Sequence, residues 1–273
     1  MASNRVGFKQ FFNKVNDGQK VDIIVDSNVL IALFDRVHSN HDQVREFLEN
    51  IDSKCEVTFY TTVTTKAEFL DYQRRRYLTC GVISLVQENQ DIIKISPKAR
   101  AAILTTLTNR NNRLAREEKK EKEIEDFNSD LNYFYDGELK EIKKAFRARD
   151  VENETGWLKI CEKFLSKRLP QLEAELDEFC NYLTTRDERQ REEIFVVDEV
   201  DWKEATTISG KTGMGYSDSM ILNMSLATNI ENIATLDFDV VYAGAVSASS
   251  KNILLPDNRI ASFKQILKKL PEQ

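Results

Sequence analysis

The beginning of the chain alternates short apolar runs with stretches of helical spacing. Residues 1–20 place Phe8, Phe11, Phe12 and Val15 on one face, which predicts a short amphipathic helix. Residues 21–25 (VDIIV) form an apolar run that predicts a buried strand. Asp26, Ser27 and Asn28 then offer helix-capping side chains ahead of the apolar segment 29–34. Residues 42–51 space Val44, Phe47, Leu48 and Ile51 as a helix does. Residues 57–61 are β-branched and aromatic, which predicts a second strand. Thr64 or Thr65 can cap a following helix that carries Glu68. Strand, helices, strand and helix in that order imply a parallel sheet.

The pattern changes between residues 97 and 193, where almost no strand signal remains. Residues 98–149 mix charge blocks with apolar positions such as Leu131, Tyr135, Leu139, Ile142 and Phe146. Leu158, Cys161, Leu165, Leu169, Leu172, Leu176, Phe179 and Leu183 then step by three or four residues. That is the spacing of a packed helical seam, which Pro170 kinks or restarts. The α/β pattern resumes with an apolar run at 194–197, a third predicted strand. A helix over 199–208, a turn with Gly210, Gly213 and Gly215, and a helix opening at Ser217 or Asp218 follow. Strands at 233–236 and 252–255 and an amphipathic helix over 260–270 complete the reading. The predicted fold is α/β, three layers around a central parallel sheet of about five strands, interrupted by a mostly helical insertion. In residue numbers, 1–96 and 194–273 form the two halves and 97–193 the insertion.

Composition narrows the classes. Of 273 residues, 41% are hydrophobic, enough for a core, and 31% are charged, as long solvated helices require. The net charge of -6 argues against a pure nucleic-acid-binding module, which usually carries a basic surface. Cys55, Cys80, Cys161 and Cys180 are scattered without zinc spacing and read as reduced, buried residues. No run approaches a membrane span and no apolar signal core opens the chain. A cytoplasmic protein without membrane contact is expected.

Candidate chemistry lies in four acids. Asp26 and Asp237 close apolar strand runs, and Glu68 and Asp218 fall on predicted helices. In a parallel sheet, the carboxyl ends of neighbouring strands share one crevice, where ligands bind. Carboxylates gathered there offer oxygen ligands to a hard divalent cation. Each acid alone has an ordinary explanation: Asp26 and Asp218 as helix caps, Asp237 as a turn residue, Glu68 as a solvated carboxylate. Residues 21–30 (VDIIVDSNVL), the Glu68 segment (TTKAEFL), 215–222 (GYSDSMIL) and 234–239 (ATLDFD) together resemble the PIN-domain nucleases. The family's strand-end Asp and small polar residue match Asp26 and Ser27. Its helix-borne Glu matches Glu68, and its helix-opening acid matches Asp218. Its Thr-x-Asp matches Thr235 and Asp237, with Asp239 as an auxiliary acid. The resemblance covers residues 21–75 and 194–256 and leaves the insertion unexplained, which departs from the compact PIN toxins.

The resemblance implies a metal-dependent endoribonuclease holding Mg²⁺ or Mn²⁺ on Asp26, Glu68, Asp218 and Asp237, with Ser27 and Thr235 orienting carboxylate or water. RNA is favoured over DNA because most resembling families cut RNA. Arg74, Arg75 and Arg76 are candidate phosphate contacts, or the basic end of a solvated helix. Lys211 is a further candidate, although residues 209–213 (SGKTG) lack a Walker loop, since Ala205 stands where a glycine is needed. The leucine seam is core of the insertion, or otherwise a homodimer or partner surface. Two alternatives remain: a scaffold on the same fold without nuclease activity, and a structure-specific DNA nuclease.

Overall fold

The computed structural model describes residues 4–36, 38–87, 95–121, 133–146, 156–246, 251–260 and 263, with backbone alone for 113–121. Six strands form a single all-parallel sheet in the order β1-β6-β5-β2-β3-β4. They are β1 (Asn4–Gly7), β2 (Lys20–Val25), β3 (Glu56–Thr61), β4 (Asn181–Tyr182), β5 (Asn232–Ala234) and β6 (Asn252–Leu255). Parallel strands need crossover connections, and helices supply them. The protein is a three-layer α/β fold.

Strand alternation assigns the two faces. Ile24 pairs with Ile233, which pairs with Ile253, and all three belong to one buried cluster with Ile208, Leu222, Val240 and Val241. That face is covered by the helices Lys203–Thr212, Tyr216–Leu226 and Phe238–Val246. Ile23 and Val25, fully buried, point to the opposite face. The helices Phe8–Lys14, Ser27–Phe34 and His41–Lys54 pack together there, with Phe8 stacked on Phe47 at 4.1 Å.

The chain divides into two compact units, Met1–Phe69 with Asp177–Gln273, and Leu70–Leu176. The second unit has its own core, in which Leu78, Val82 and Ile103 meet Phe134, Ile142, Trp157, Ile160 and Phe164. Arg110 is buried there, donates to the Tyr133 carbonyl and lies over the Phe134 ring.

Several elements differ from the sequence expectation. Residues 1–20 contain β1 before the helix Phe8–Lys14, because the edge of β6 not paired with β5 takes this four-residue segment as its second partner. Residues 194–197 are not a sheet strand. Phe195 makes only an isolated antiparallel bridge with Thr228, while Val196 is 63% exposed. The sheet edge beside β3 is taken by β4 instead. The helix carrying Glu68 begins at Val63, and its capping hydroxyl is Thr62, which accepts the Thr65 N–H at 3.1 Å. The helix expected over 199–208 runs Lys203–Thr212, so Gly210 is helical and Gly213 ends the helix at φ 75°. The leucine seam is two helices, Trp157–Phe164 and Arg168–Phe179, followed by β4. Pro170 sits in the first turn of the second, where no N–H is needed. Leu158 points to solvent, and Leu172 and Leu176 are buried. The four cysteines are free, but Cys80 is exposed and Cys161 only half-buried. Most of the helix expected over 260–270 lies outside the described residues.

Candidate functional site

The strand order reverses at β2: the chain moves from β2 to β3 and β4 on one side, then crosses to β5 and β6 on the other. Such a switch point opens a crevice at the carboxyl ends of the two central strands. Asp26 is the first residue after β2, and Thr235 and Asp237 follow β5. The two strand ends are tied together, since the Asp26 N–H donates to the Ala234 carbonyl at 3.0 Å.

Asp26 caps the helix Ser27–Phe34 and is 1% exposed. Its Oδ1 accepts from the Ser27 N–H at 2.6 Å and lies 3.4 Å from the Ser27 hydroxyl. Its Oδ2 accepts from the Thr235 hydroxyl at 2.7 Å. Thr235, fully buried, also accepts the Asp237 N–H at 2.9 Å, so one hydroxyl links the two strand-end acids. Asp237 folds into a local turn in which its Oδ1 accepts the Asp239 N–H at 2.7 Å.

Asn28 joins this group, although the sequence marked it only as capping chemistry. Its Nδ2 donates to Asp26 Oδ2 at 3.3 Å and to Asp237 Oδ2 at 3.4 Å, bridging carboxylates 211 residues apart in the chain. Its position, two residues past a strand-end acid on the first turn of a helix, was the available signal.

The other two acids arrive on helices. Glu68 lies in the second turn of the helix Val63–Gln87, beside Phe69, whose buried ring packs 5.1 Å from Phe34. Asp218 is the third residue of the helix Tyr216–Leu226, capped by Gly215. Its carboxylate folds back over that cap, so that a Cβ on Gly215 would come within 2.9 Å of Asp218 Oδ2.

Electrostatics gather these acids into one group. Burial pushes the Asp26 carboxyl up to about 6, against the bonds from Thr235 and Ser27, and the charges of Asp237 and Glu68 push the same way. Burial pushes Asp218 up to about 7, reinforced by Asp237, Asp26, Glu68 and Asp239. An acid at the third position of a helix is ordinarily favoured by the helix dipole, by about 0.3–1 kcal/mol. Burial and four neighbouring acids outweigh that here. Among the described residues, no three His, Cys, Asp or Glu side chains converge closely enough to hold one ion as they stand.

Three of the predicted phosphate contacts are paired with acids and rings of their own unit. Arg74, Arg75 and Arg76 belong to the helical unit. Arg74 pairs with Asp71 at 2.7 Å and Asp136 at 2.5 Å, and Arg75 with Asp71 at 3.2 Å. Arg75 also lies over Tyr133, and Arg76 over Tyr72. Lys211 is exposed and lines a cleft with Glu204, Thr207 and Asn223, to which none of the five acids contributes.

The chain matches no protein-family model, no curated protein and no solved structure. Among the described residues, no helix is long and apolar enough to cross a membrane. The functional reading therefore rests on the site itself.

Proposed function

We propose that the chain is a metal-dependent endoribonuclease of PIN type. The observation that carries this reading is the tie of Asp26 to Asp237 through Thr235 and Asn28 at the switch point. Burial raises Asp26 to about 6 and Asp218 to about 7, and the charges of Glu68 and Asp237 add to both. Carboxylates held this close repel one another, and a cation relieves the repulsion. An all-oxygen donor set suits Mg²⁺ or Mn²⁺. Asp26, Glu68, Asp218 and Asp237 would hold the ion, with Asp239 as an auxiliary acid. A bound ion supplies charge stabilisation at the scissile phosphate and lowers the pKa of an attacking water.

The chain's own groups prepare that step. The Thr235 hydroxyl and the Ser27 N–H fix one oxygen each of Asp26, and the Asn28 amide spans Asp26 and Asp237. These bonds orient the carboxylates before any ligand arrives, as preorganised sites require. The preference for RNA over DNA rests on the PIN resemblance of residues 21–30, 68, 215–222 and 234–239.

The test is cleavage of labelled single-stranded RNA and DNA with Mn²⁺, Mg²⁺ or EDTA, beside Asp26→Asn. The expected result is metal-dependent cutting of RNA that the variant lacks. Cutting by Asp26→Asn at the parent rate would overturn the reading. A second reading, a binding protein on the same fold, is favoured by one observation: among the described residues, no three donor side chains meet as they stand. Calorimetry that detects no Mn²⁺ binding would select it.

A further inference from the structure

A depression of about 490 Å³ opens at the far end of the same sheet edge. Its lining residues come from the segments that follow the carboxyl ends of β1 and β6 and from the helix His41–Lys54. The volume is that of a small-ligand site. The β1/β6 pair lies two strand widths from the β5/β2 pair that carries the acids, about 10 Å along the edge.

The lining has an unusual chemistry. Phe8 and Phe47, both nearly buried, form the wall, and Phe12 is half-buried with Lys54 Nζ 4.5 Å from its ring centroid. The sequence pattern placed Phe12 on the buried face of its helix, yet its ring lines the depression instead. Four amide side chains, Asn13, Gln43, Asn50 and Asn258, surround the aromatic wall, all exposed and none hydrogen-bonded within the described residues. The Glu46 and Asp257 carboxylates and the exposed Lys9 stand at the same rim, where Asp257 accepts the Lys9 backbone N–H at 3.2 Å.

Each group has a counterpart on one kind of ligand. An aromatic ring stacks on a planar heterocycle. Asn and Gln amides pair bidentately with the N6/N7 edge of adenine, and carboxylates accept from exocyclic amino groups. A lysine contacts phosphate. Uracil and thymine present no amino group to these carboxylates.

We propose that this depression binds an unpaired nucleobase with an exocyclic amino group, adenine above the others, with Lys9 on the attached phosphate. The proposal builds on the nuclease reading in taking the base to come from a bound strand. It gives that strand a direction along the sheet edge and an adenine preference beside the cut.

The test measures binding in EDTA, so that neither metal nor cleavage enters. Labelled oligoadenylate and oligouridylate are titrated by fluorescence anisotropy, with AMP and UMP as competitors. Phe12→Leu and Asn50→Ala are compared with the parent after circular dichroism confirms their fold. Oligoadenylate should bind more tightly than oligouridylate, and each variant should weaken it by roughly 5-fold to 100-fold, the range of one lost stacking or edge contact. Competition by AMP identifies a free nucleotide as a sufficient ligand, and its failure beside tight oligoadenylate binding assigns the base to a strand. Equal binding of the two polymers, no binding of either, or folded variants that bind as the parent would overturn the proposal. Metal-dependent cutting without adenine preference sinks this inference alone, and adenine binding without cutting sinks the nuclease alone.

Discussion

At the scale of single residues, the site is a balance between burial and a few hydrogen bonds. Asp218 accepts none of the bonds that lower Asp26, and its carboxyl is pushed up to about 7. A carboxyl raised in the folded state binds its proton more tightly there than in the unfolded chain. Its stabilising contribution is full below about pH 4 and is lost as pH rises through 6 for Asp26 and 7 for Asp218. Without divalent metal, Asp218→Asn should therefore stabilise the protein at pH 8, on the order of 2 kcal/mol after allowance for solvent screening, and change little at pH 4. Urea unfolding at both pH values checks this, and a variant equally stabilised at both would contradict it. Thr235→Val keeps the shape but removes the hydroxyl shared by Asp26 and the Asp237 N–H. The expected cost is about 1–3 kcal/mol. The Asp26 carboxyl should also titrate higher, because the Thr235 bond lowers it. Carboxyl ¹³C chemical shifts followed against pH would report that change.

At the scale of elements, two glycines separate function from packing. Gly215 caps the Asp218 helix at φ -56°, a backbone any residue adopts. Its added methyl would meet only the Asp218 carboxylate, 2.9 Å away. Gly215→Ala should fold with nearly the parent stability yet bind Mn²⁺ several-fold more weakly, because the carboxylate must turn aside. Calorimetry beside thermal unfolding tests both halves of that statement. Gly81, in the helix Val63–Gln87, would place a Cβ 2.7 Å from the Phe164 ring and 3.0 Å from Ile160. Gly81→Ala should cost about 1–2 kcal/mol, since overpacking outweighs the gain in helix propensity. Denaturant midpoints at matched m-values would show the loss, and an unchanged midpoint would mean that the helical core yields at this point.

At the scale of the whole molecule, two cores share one chain. The sheet unit holds the acids, and the helical unit, Leu70–Leu176, has a separate buried cluster. A ligand of the folded acid site stabilises by mass action, about 2.7 kcal/mol at a concentration one hundred times its dissociation constant. Saturating Mn²⁺ should raise the unfolding temperature at pH 8 and lose this effect as pH falls below about 6, where protons occupy Asp26 and Asp218. Differential scanning fluorimetry would follow the shift, and Asp26→Asn should abolish it. Gly81→Ala, which perturbs only the contact with Phe164 and Ile160 in the helical core, should leave it intact.

What could be read from the sequence follows from how each element is stabilised. The central strands β2, β3, β5 and β6 are flanked on both sides, so burial demands the apolar runs that mark them. The edge strands β1 (NRVG) and β4 (NY) have one neighbour each and are too short and polar to carry a pattern. The run at 194–197 had the right composition but formed a bridge to Thr228, since pairing is settled by which backbone edge lies within reach. Asp26, Glu68, Asp218 and Asp237 were legible because each follows a strand or sits on a helix with recognisable local chemistry. The sequence by itself thus determined the α/β class, the central strands and the acids that end them, through local periodicity and capping. Only the tertiary structure decided that Thr235 and Asn28 tie Asp26 to Asp237, that burial raises Asp26 and Asp218, and that Phe12 lines a depression. Those facts depend on contacts between segments some two hundred residues apart, or on exposure, and neither leaves a periodic trace in the chain.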